Sequence, residues 1–150
     1  MLRLISGGQT GVDRAALDVA LELGLPCGGW CPRGRRAEDG PIPARYPLVE
    51  LDSDAYPART ERNVLDSDGT LVVTRGPLRA GTRLTVDLAL RHGRPCLVVD
   101  LREAAPPRDA REWLLAMRIR CLNVAGPRES SQPGIGAAAR DYLRALLAEA

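Results

Sequence analysis

Gly7, Gly8 and Gly11 stand among Ser6, Gln9, Thr10 and Arg14 in the stretch Leu2–Ala15, Leu-Arg-Leu-Ile-Ser-Gly-Gly-Gln-Thr-Gly-Val-Asp-Arg-Ala. Three glycines in five positions remove Cβ atoms where a backbone must turn tightly and come close to a ligand. An apolar run precedes them and a helical pattern follows. The free N–H groups and positive dipole end of that helix would face the same ligand. Such a place favours a phosphate or another oxyanion. A side chain at Gly8 is therefore expected to fill the anion seat.

Two further stretches carry polar groups of the same kind. Thr74–Thr85, Thr-Arg-Gly-Pro-Leu-Arg-Ala-Gly-Thr-Arg-Leu-Thr, is again a strand running into a helix start. There Gly81 and Thr82 would open the helix, with Thr82 capping it or touching ligand. The loop Asn123–Ser131 adds Asn123, Arg128, Glu129 and Ser130, the pair Arg128–Glu129 being either a solvated ion pair or a ligand clamp. The expected binding set is Gly7, Gly8, Gln9, Thr10, Gly11, Arg14, Thr74, Gly81, Thr82, Asn123, Arg128, Glu129 and Ser130. Arg14 could equally be a surface charge. Asp13 and Asp18 read as helix-start and packing residues rather than acids or bases, and Trp30 as core or pocket wall.

Several chemistries are excluded by what the chain lacks. All 21 basic residues are Arg, which removes Schiff-base chemistry and the lysine of a P-loop. Side-chain recognition of an anion must then be by guanidinium, suited to planar bidentate contacts. Gly-Gly-x-x-Gly is not the G-x-G-x-x-G of dinucleotide sites, and the acidic residue expected about 20 positions later is missing. The one histidine, His92, falls within a helical pattern, so no Ser-His-Asp or Cys-His set can be argued. Cys27, Cys31, Cys96 and Cys121 form no C-x-x-C pair, so no zinc site of ordinary spacing can be built. Cys96 and Cys121 read as buried inert thiols and Cys31 as open to exposure.

The elements that must position these groups alternate along the chain. Strands are expected at Leu2–Ile5, Cys27–Trp30, Leu48–Leu51, Thr70–Thr74, Cys96–Asp100 and Arg120–Val124. Helices are expected at Gly11–Leu23, Arg59–Ser67, Gly81–His92, Asp109–Met117 and Gly134–Glu149. The all-apolar runs Leu71–Val73 and Leu97–Val99 read as central parallel strands covered on both faces. This predicts an α/β, Rossmann-like doubly wound sandwich, a mainly parallel central sheet flanked by helices, in a single domain over residues 1–150. Ligands bind such sheets beyond the carboxyl ends of the strands, where strand order reverses. The segment Pro32–Pro47, with four prolines, two glycines and Arg33, Arg35, Arg36, Glu38 and Asp39, breaks the rhythm. It reads as an ordered functional loop.

Composition fits this frame: 150 residues, 45% hydrophobic and 27% charged, with a net charge of +2. That charge points to neither a nucleic-acid partner nor a membrane surface. With no apolar run of about 18 residues and no signal-peptide pattern, a cytoplasmic protein is expected. Leu114, Met117, Tyr142, Leu143, Leu146 and Leu147 could pack on the sheet or reach a partner.

Four segments together carry a resemblance. Ser6–Asp18, Gly29–Gly40, Arg59–Thr70 and Asn123–Ser130 resemble the molybdenum carrier family, a Rossmann-like group related to the lonely-guy phosphoribohydrolases and the DprA proteins. The resemblance implies a carrier of molybdenum cofactor, a pterin bearing a phosphate and an oxo-metal, and a homo-oligomer, dimer or tetramer. It implies a phosphate seat at Gly7–Gly11 and polar contacts to the pterin from Asn123 and Ser130. The related hydrolases carry P-G-G-x-G-T-x-x-E, whereas Gly81-Thr82-Arg83-Leu84-Thr85 places a hydroxyl where their Glu stands. A hydroxyl cannot act as that carboxylate, so binding rather than turnover is expected unless Glu38 or Asp39 supplies the acid. Three readings follow: a carrier of molybdenum cofactor or a related pterin, a sensor of a nucleotide or ADP-ribose-like ligand, and a nucleotide N-glycosidic hydrolase.

Overall fold

Alternation of short apolar runs with amphipathic stretches settles into nine strands and five helices in the computed structural model, which describes residues 1–148. The central sheet is built from β1 (Arg3–Ile5), β2 (Cys27–Gly28), β7 (Gly69–Thr74), β8 (Cys96–Asp100) and β9 (Cys121–Ala125). Its order is β2-β1-β9-β7-β8, and every pairing in it is parallel. Leu4 stands beside Leu122, and Leu71 beside both Val124 and Leu97. Entered at β7 instead of β1, the same sheet reads 2-1-3-4-5, a doubly wound order whose switch point lies between β7 and β9.

The helices cover both faces. On one, α1 (Val12–Leu23), α4 (Pro107–Ala116) and α5 (Ile135–Leu147) bury Val12, Ala16, Val19, Leu114, Leu143 and Leu146 against Leu4, Leu71, Val73 and Val124. On the other, α2 (Tyr56–Leu65) and α3 (Ala80–Arg91) form a smaller cluster of Val64, Leu88 and Ala89. Tyr142, Leu143, Leu146 and Leu147 thus pack inward, while Met117 stays 49% exposed. Glu149, the expected end of the last helix, lies outside the described residues.

Three expectations are corrected. First, β7 is central and buried throughout, but β8 is an edge strand with Val98 40% exposed. An all-apolar run reports hydrophobicity, not position in the sheet. Second, the strand expected over Cys27–Trp30 breaks at Gly29, whose φ is 127° and whose missing Cβ would meet Ser6 O at 2.3 Å. Beyond the break β3 (Trp30–Cys31) pairs with β6 (Val49–Glu50) in a separate parallel pair. Third, Cys31 is fully buried, whereas Cys96 and Cys121 are half-buried; all four cysteines are free. Burial pushes every one of these thiols up, toward the protonated form.

The Pro32–Pro47 segment folds into a small core of its own. Its hairpin of β4 (Arg36–Ala37) and β5 (Gly40–Pro41) leads to Ile42, Tyr46 and Leu48, which pack with Ala37, Cys31 and Leu17 of α1. Arg35 is the internal tie. At φ 54° it turns the chain, and its guanidinium donates to the carbonyls of Ile42, Pro43, Tyr46 and Leu48 at 2.8–3.3 Å.

Candidate functional site

A cavity of about 1100 Å³ opens at the carboxyl ends of β1, β7 and β9, beside the switch point. Its wall contains four arginines, Arg59, Arg75, Arg79 and Arg128, and Asp13 is its one acidic side chain among the described residues. The N-terminus of α3 contributes Ala80, Gly81 and Thr82, and no side chain caps that helix. Uncapped N–H groups and guanidinium groups around one concavity favour an anion.

Of the residues expected from sequence, Gly7, Gln9, Gly81, Thr82, Asn123, Arg128 and Ser130 lie in this wall. Thr82 does not cap α3; Arg79 holds the cap position with extended backbone. Thr74 ends β7 beneath the wall, 1% exposed, with its hydroxyl lacking a partner among the described residues. Thr10, Gly11, Arg14 and Glu129 line a separate, shallower cavity of about 290 Å³. Gly8 lines neither.

The protein itself packs closely against the glycine-rich loop, while Gly7 and Gln9 still line the large cavity. A Cβ on Gly7 would meet Arg59 Nη1 at 1.9 Å, one on Gly8 would meet Leu48 Cδ1 at 2.4 Å, and one on Gly11 would meet Pro127 O at 2.3 Å. The close approaches at these glycines, expected of a ligand, are made by groups of the chain. The loop N–H groups are also engaged. Gly8 donates to Ser6 Oγ, Gln9 to Asp13 Oδ2, Thr10 to Gln9 Oε1 and Val12 to Pro127 O. The Asp13 carboxyl thus sits where an external anion was expected. Burial dominates its titration and raises it, against Arg59 and the N–H groups of Gln9 and Gly7, which pull it down.

Arg59 completes this closure: its Nη1 donates to Gly7 O at 2.8 Å and approaches Asp13 Oδ2 at 3.4 Å. Arg14 is neither a free surface charge nor a wall residue. It holds Asp39 in a two-pronged pair at 2.6 and 3.1 Å and donates to Gly8 O. Glu129 does not pair with Arg128; it caps α5 by accepting from Gly134 and Gly136 N–H. Arg128 instead stands 3.9 Å from Glu38.

Glu38 links three loops. Its carboxylate accepts from Thr10 Oγ1, from Ser130 Oγ at 2.5 Å and from Ser130 N–H at 3.2 Å, while its own N–H donates to Gln9 Oε1. Burial works to raise this carboxyl, but the hydrogen bonds from Ser130 and Thr10 outweigh it and hold it below the ordinary range. Arg14 does the same for Asp39. Two carboxylates stabilised in the ionised form are poorly suited to deliver a proton. No residue of Pro32–Gly40 lines the large cavity, so the segment supports the site from behind and is not its lid.

Several wall residues escaped the sequence reading. Tyr56, Arg59 and Asn63 come from α2, where the stretch Arg59–Thr70 carried the family resemblance without an assigned role. Tyr56 has the guanidinium groups of Arg36, Arg59 and Arg128 within 4.3–5.4 Å of its ring centre. Gln132 lines the cavity while bonding the Arg75 N–H and carbonyl at 3.1 and 2.6 Å. Trp30 is not in the wall: it is half-buried on α2, donating to Asp66 at 2.6 Å beneath Arg62. His92 ends α3 at its C-cap, 3.1 Å from Glu61. Thr85, in the position of the hydrolases' Glu, does line the cavity, and its hydroxyl donates back to Gly81 O at 3.0 Å.

Among the described residues no three His, Cys, Asp or Glu side chains stand together as a metal site, and no helix is long and apolar enough to cross a membrane. No curated protein matches the chain. The crystal structure of a "Putative molybdenum carrier protein" from Syntrophus aciditrophicus is similar over 98% of this chain and 95% of that one, at 45% identity and a TM-score of 0.93. That agrees with the resemblance carried by the four sequence segments. The model of the circularly permutated YpsA SLOG family matches residues 4–147. A permuted chain accounts for a sheet that regains the 2-1-3-4-5 order when entered at β7. On this match and the sheet that explains it, the chain belongs to the circularly permutated YpsA SLOG family.

Proposed function

We propose that the protein binds a small phosphate-bearing ligand in the 1100 Å³ cavity and carries it unchanged, the ligand being molybdenum cofactor or a related pterin. The observation that carries this reading is the charge of the wall, four arginines against a single buried acid. Arg75, Arg79 and the uncapped start of α3 are suited to a phosphate or molybdate oxyanion. Asn123 and Gln9 offer polar contacts to a heterocycle. The name of the similar Syntrophus protein supports a molybdenum-related ligand. The absence of a carboxylate at Thr85, and the ionised, hydrogen-bonded state of Glu38 and Asp39, favour carriage over hydrolysis.

A second reading, a nucleotide or ADP-ribose-like ligand, is favoured by the cavity volume, which exceeds what a lone oxyanion fills. Native mass spectrometry with metal analysis of protein purified from a host that makes molybdenum cofactor separates the two. Molybdenum together with a pterin-phosphate mass is expected; a bound nucleotide would replace the first reading with the second. Turnover of nucleoside monophosphates would overturn both. Arg128→Ala is expected to weaken phosphate or molybdate binding by about 1.5–3 kcal/mol in isothermal titration, and unchanged affinity would remove it from the site.

A further inference from the structure

Gln9 is fixed so that its amide has only one role left. Its Oε1 accepts the Thr10 N–H at 3.0 Å and the Glu38 N–H at 2.9 Å. Both partners are backbone donors, so an oxygen must stand there and the amide cannot turn over. Gln9 lines the cavity, and its Nε2 is left buried and without a hydrogen-bond partner among the described residues. Gln9 as a whole is 6% exposed. A buried NH2 with no acceptor is unfavourable, so a ligand atom that accepts from it is strongly preferred to one that donates.

One half of the lock comes from outside the glycine-rich loop. Glu38 is held by Thr10 and Ser130, and it presents its N–H to Gln9 from the same loop. An inorganic oxyanion offers acceptors in every direction and needs no such selection. The arginines and the start of α3 already deal with charge. A one-way donor has a use where the ligand carries a ring whose substituents differ in polarity.

Resting on the cavity as the ligand site, we infer that Gln9 selects an oxo-substituted heterocycle and rejects its amino-substituted counterpart. Pterin-6-carboxylate and 2,4-diaminopteridine-6-carboxylate test this with the full chain in isothermal titration. They share ring, size and anionic group and differ along one edge, where the oxo compound carries O4 beside an N3 proton and the other an amino group beside a bare N3. The expected result is a preference of about tenfold or more for the oxo compound. Gln9→Glu keeps an oxygen for both N–H groups and puts an acceptor where Nε2 stood. Its added charge weakens both compounds alike, so the ratio is the readout, and it should fall to unity or reverse.

Equal affinity of the wild type for the pair, as a mere buried water at Nε2 would give, overturns the inference. A ratio unchanged in Gln9→Glu, or failure of both compounds to bind, does the same. Circular dichroism melting checks that the variant folds. If it does not, the Gln9 side-chain amide resonances of the wild type must shift with the oxo compound, and their failure to move is decisive against it. Molybdate and inorganic phosphate judge the cavity separately. Anion binding that Arg79→Ala abolishes, without choice between the pteridines, sinks the role of Gln9 alone; no anion binding sinks the cavity reading.

Discussion

Gly8 has φ +76°, and a Cβ there would lie 2.4 Å from Leu48 Cδ1 and 2.9 Å from Ile42 Cδ1. Gly8→Val is therefore a packing mutation before it is a binding mutation. It is expected to cost about 3 kcal/mol, from the left-handed backbone and the overfilled core together. Chemical denaturation measures this, and an undiminished stability with lost ligand binding would restore the anion seat at Gly8. Glu38 makes a prediction in pH. Its folded carboxyl titrates below its ordinary value of 4.5, so folding favours the ionised form. That contribution is present above the ordinary value and is lost as pH falls through the lowered folded one. Asp13 acts with the opposite sign, since its raised folded value favours the protonated form at low pH, but it is common to both proteins. The melting-temperature gap between wild type and Glu38→Gln should thus be full above about pH 4.5 and shrink as pH falls below it. A constant gap would mean that Glu38 acts without its charge.

The Pro32–Pro47 segment shows how a stretch with little regular secondary structure beyond the β4–β5 hairpin is held. Arg35 supplies four carbonyls with donors, and Ile42, Tyr46 and Leu48 are buried beside Leu17. Arg35→Ala is expected to cost about 2–4 kcal/mol, because several buried acceptors lose their partner at once. Hydrogen exchange should localise the loss to residues 32–48; exchange unchanged there would show the segment is held by its apolar contacts alone. The order within the sheet makes a second contrast. Val72 is central and fully buried, whereas Val98 on β8 is 40% exposed. Val72→Ala should cost about 2–3 kcal/mol and Val98→Ala less than about 1 kcal/mol in denaturant unfolding. Similar costs would contradict the edge position of β8.

For the molecule as a whole, the sheet order is the property to test. Because β2-β1-β9-β7-β8 becomes 2-1-3-4-5 when entered at β7, a chain cut after Asp66 and closed by a linker from residue 150 to residue 1 should keep the fold. Its circular dichroism spectrum and its anion binding should match those of the parent. The cavity lies beside the β7–β9 switch point, away from the cut between α2 and β7, so it should be retained. Loss of cooperative unfolding in the permutant would show that the connection from α2 to β7 is itself needed. The same topology explains why groups distant in sequence meet: Gln9, Arg59, Thr82 and Arg128 arrive from four connections at one end of one sheet.

Local chemistry was enough for the sequence to determine most of the elements, though not the break at Gly29 or the β4–β5 hairpin. Side-chain periodicity located β1, β7, β8, β9 and all five helices to within a few residues, because burial on one or two faces is written into hydrophobic spacing. Glycine spacing marked Gly7, Gly8 and Gly11 as places without room for a side chain, where the sequence reading expected a ligand. What approaches them was settled only by tertiary structure, since Arg59, Ile42, Leu48 and Pro127 are brought there by the fold. The separation of Arg14 and Glu129 from the cavity, the entry of Arg59 and Tyr56 into it, and the edge position of β8 have the same origin. Periodicity tells which face of an element is buried; it carries no information on which other element lies against that face, and a binding site is made of those encounters.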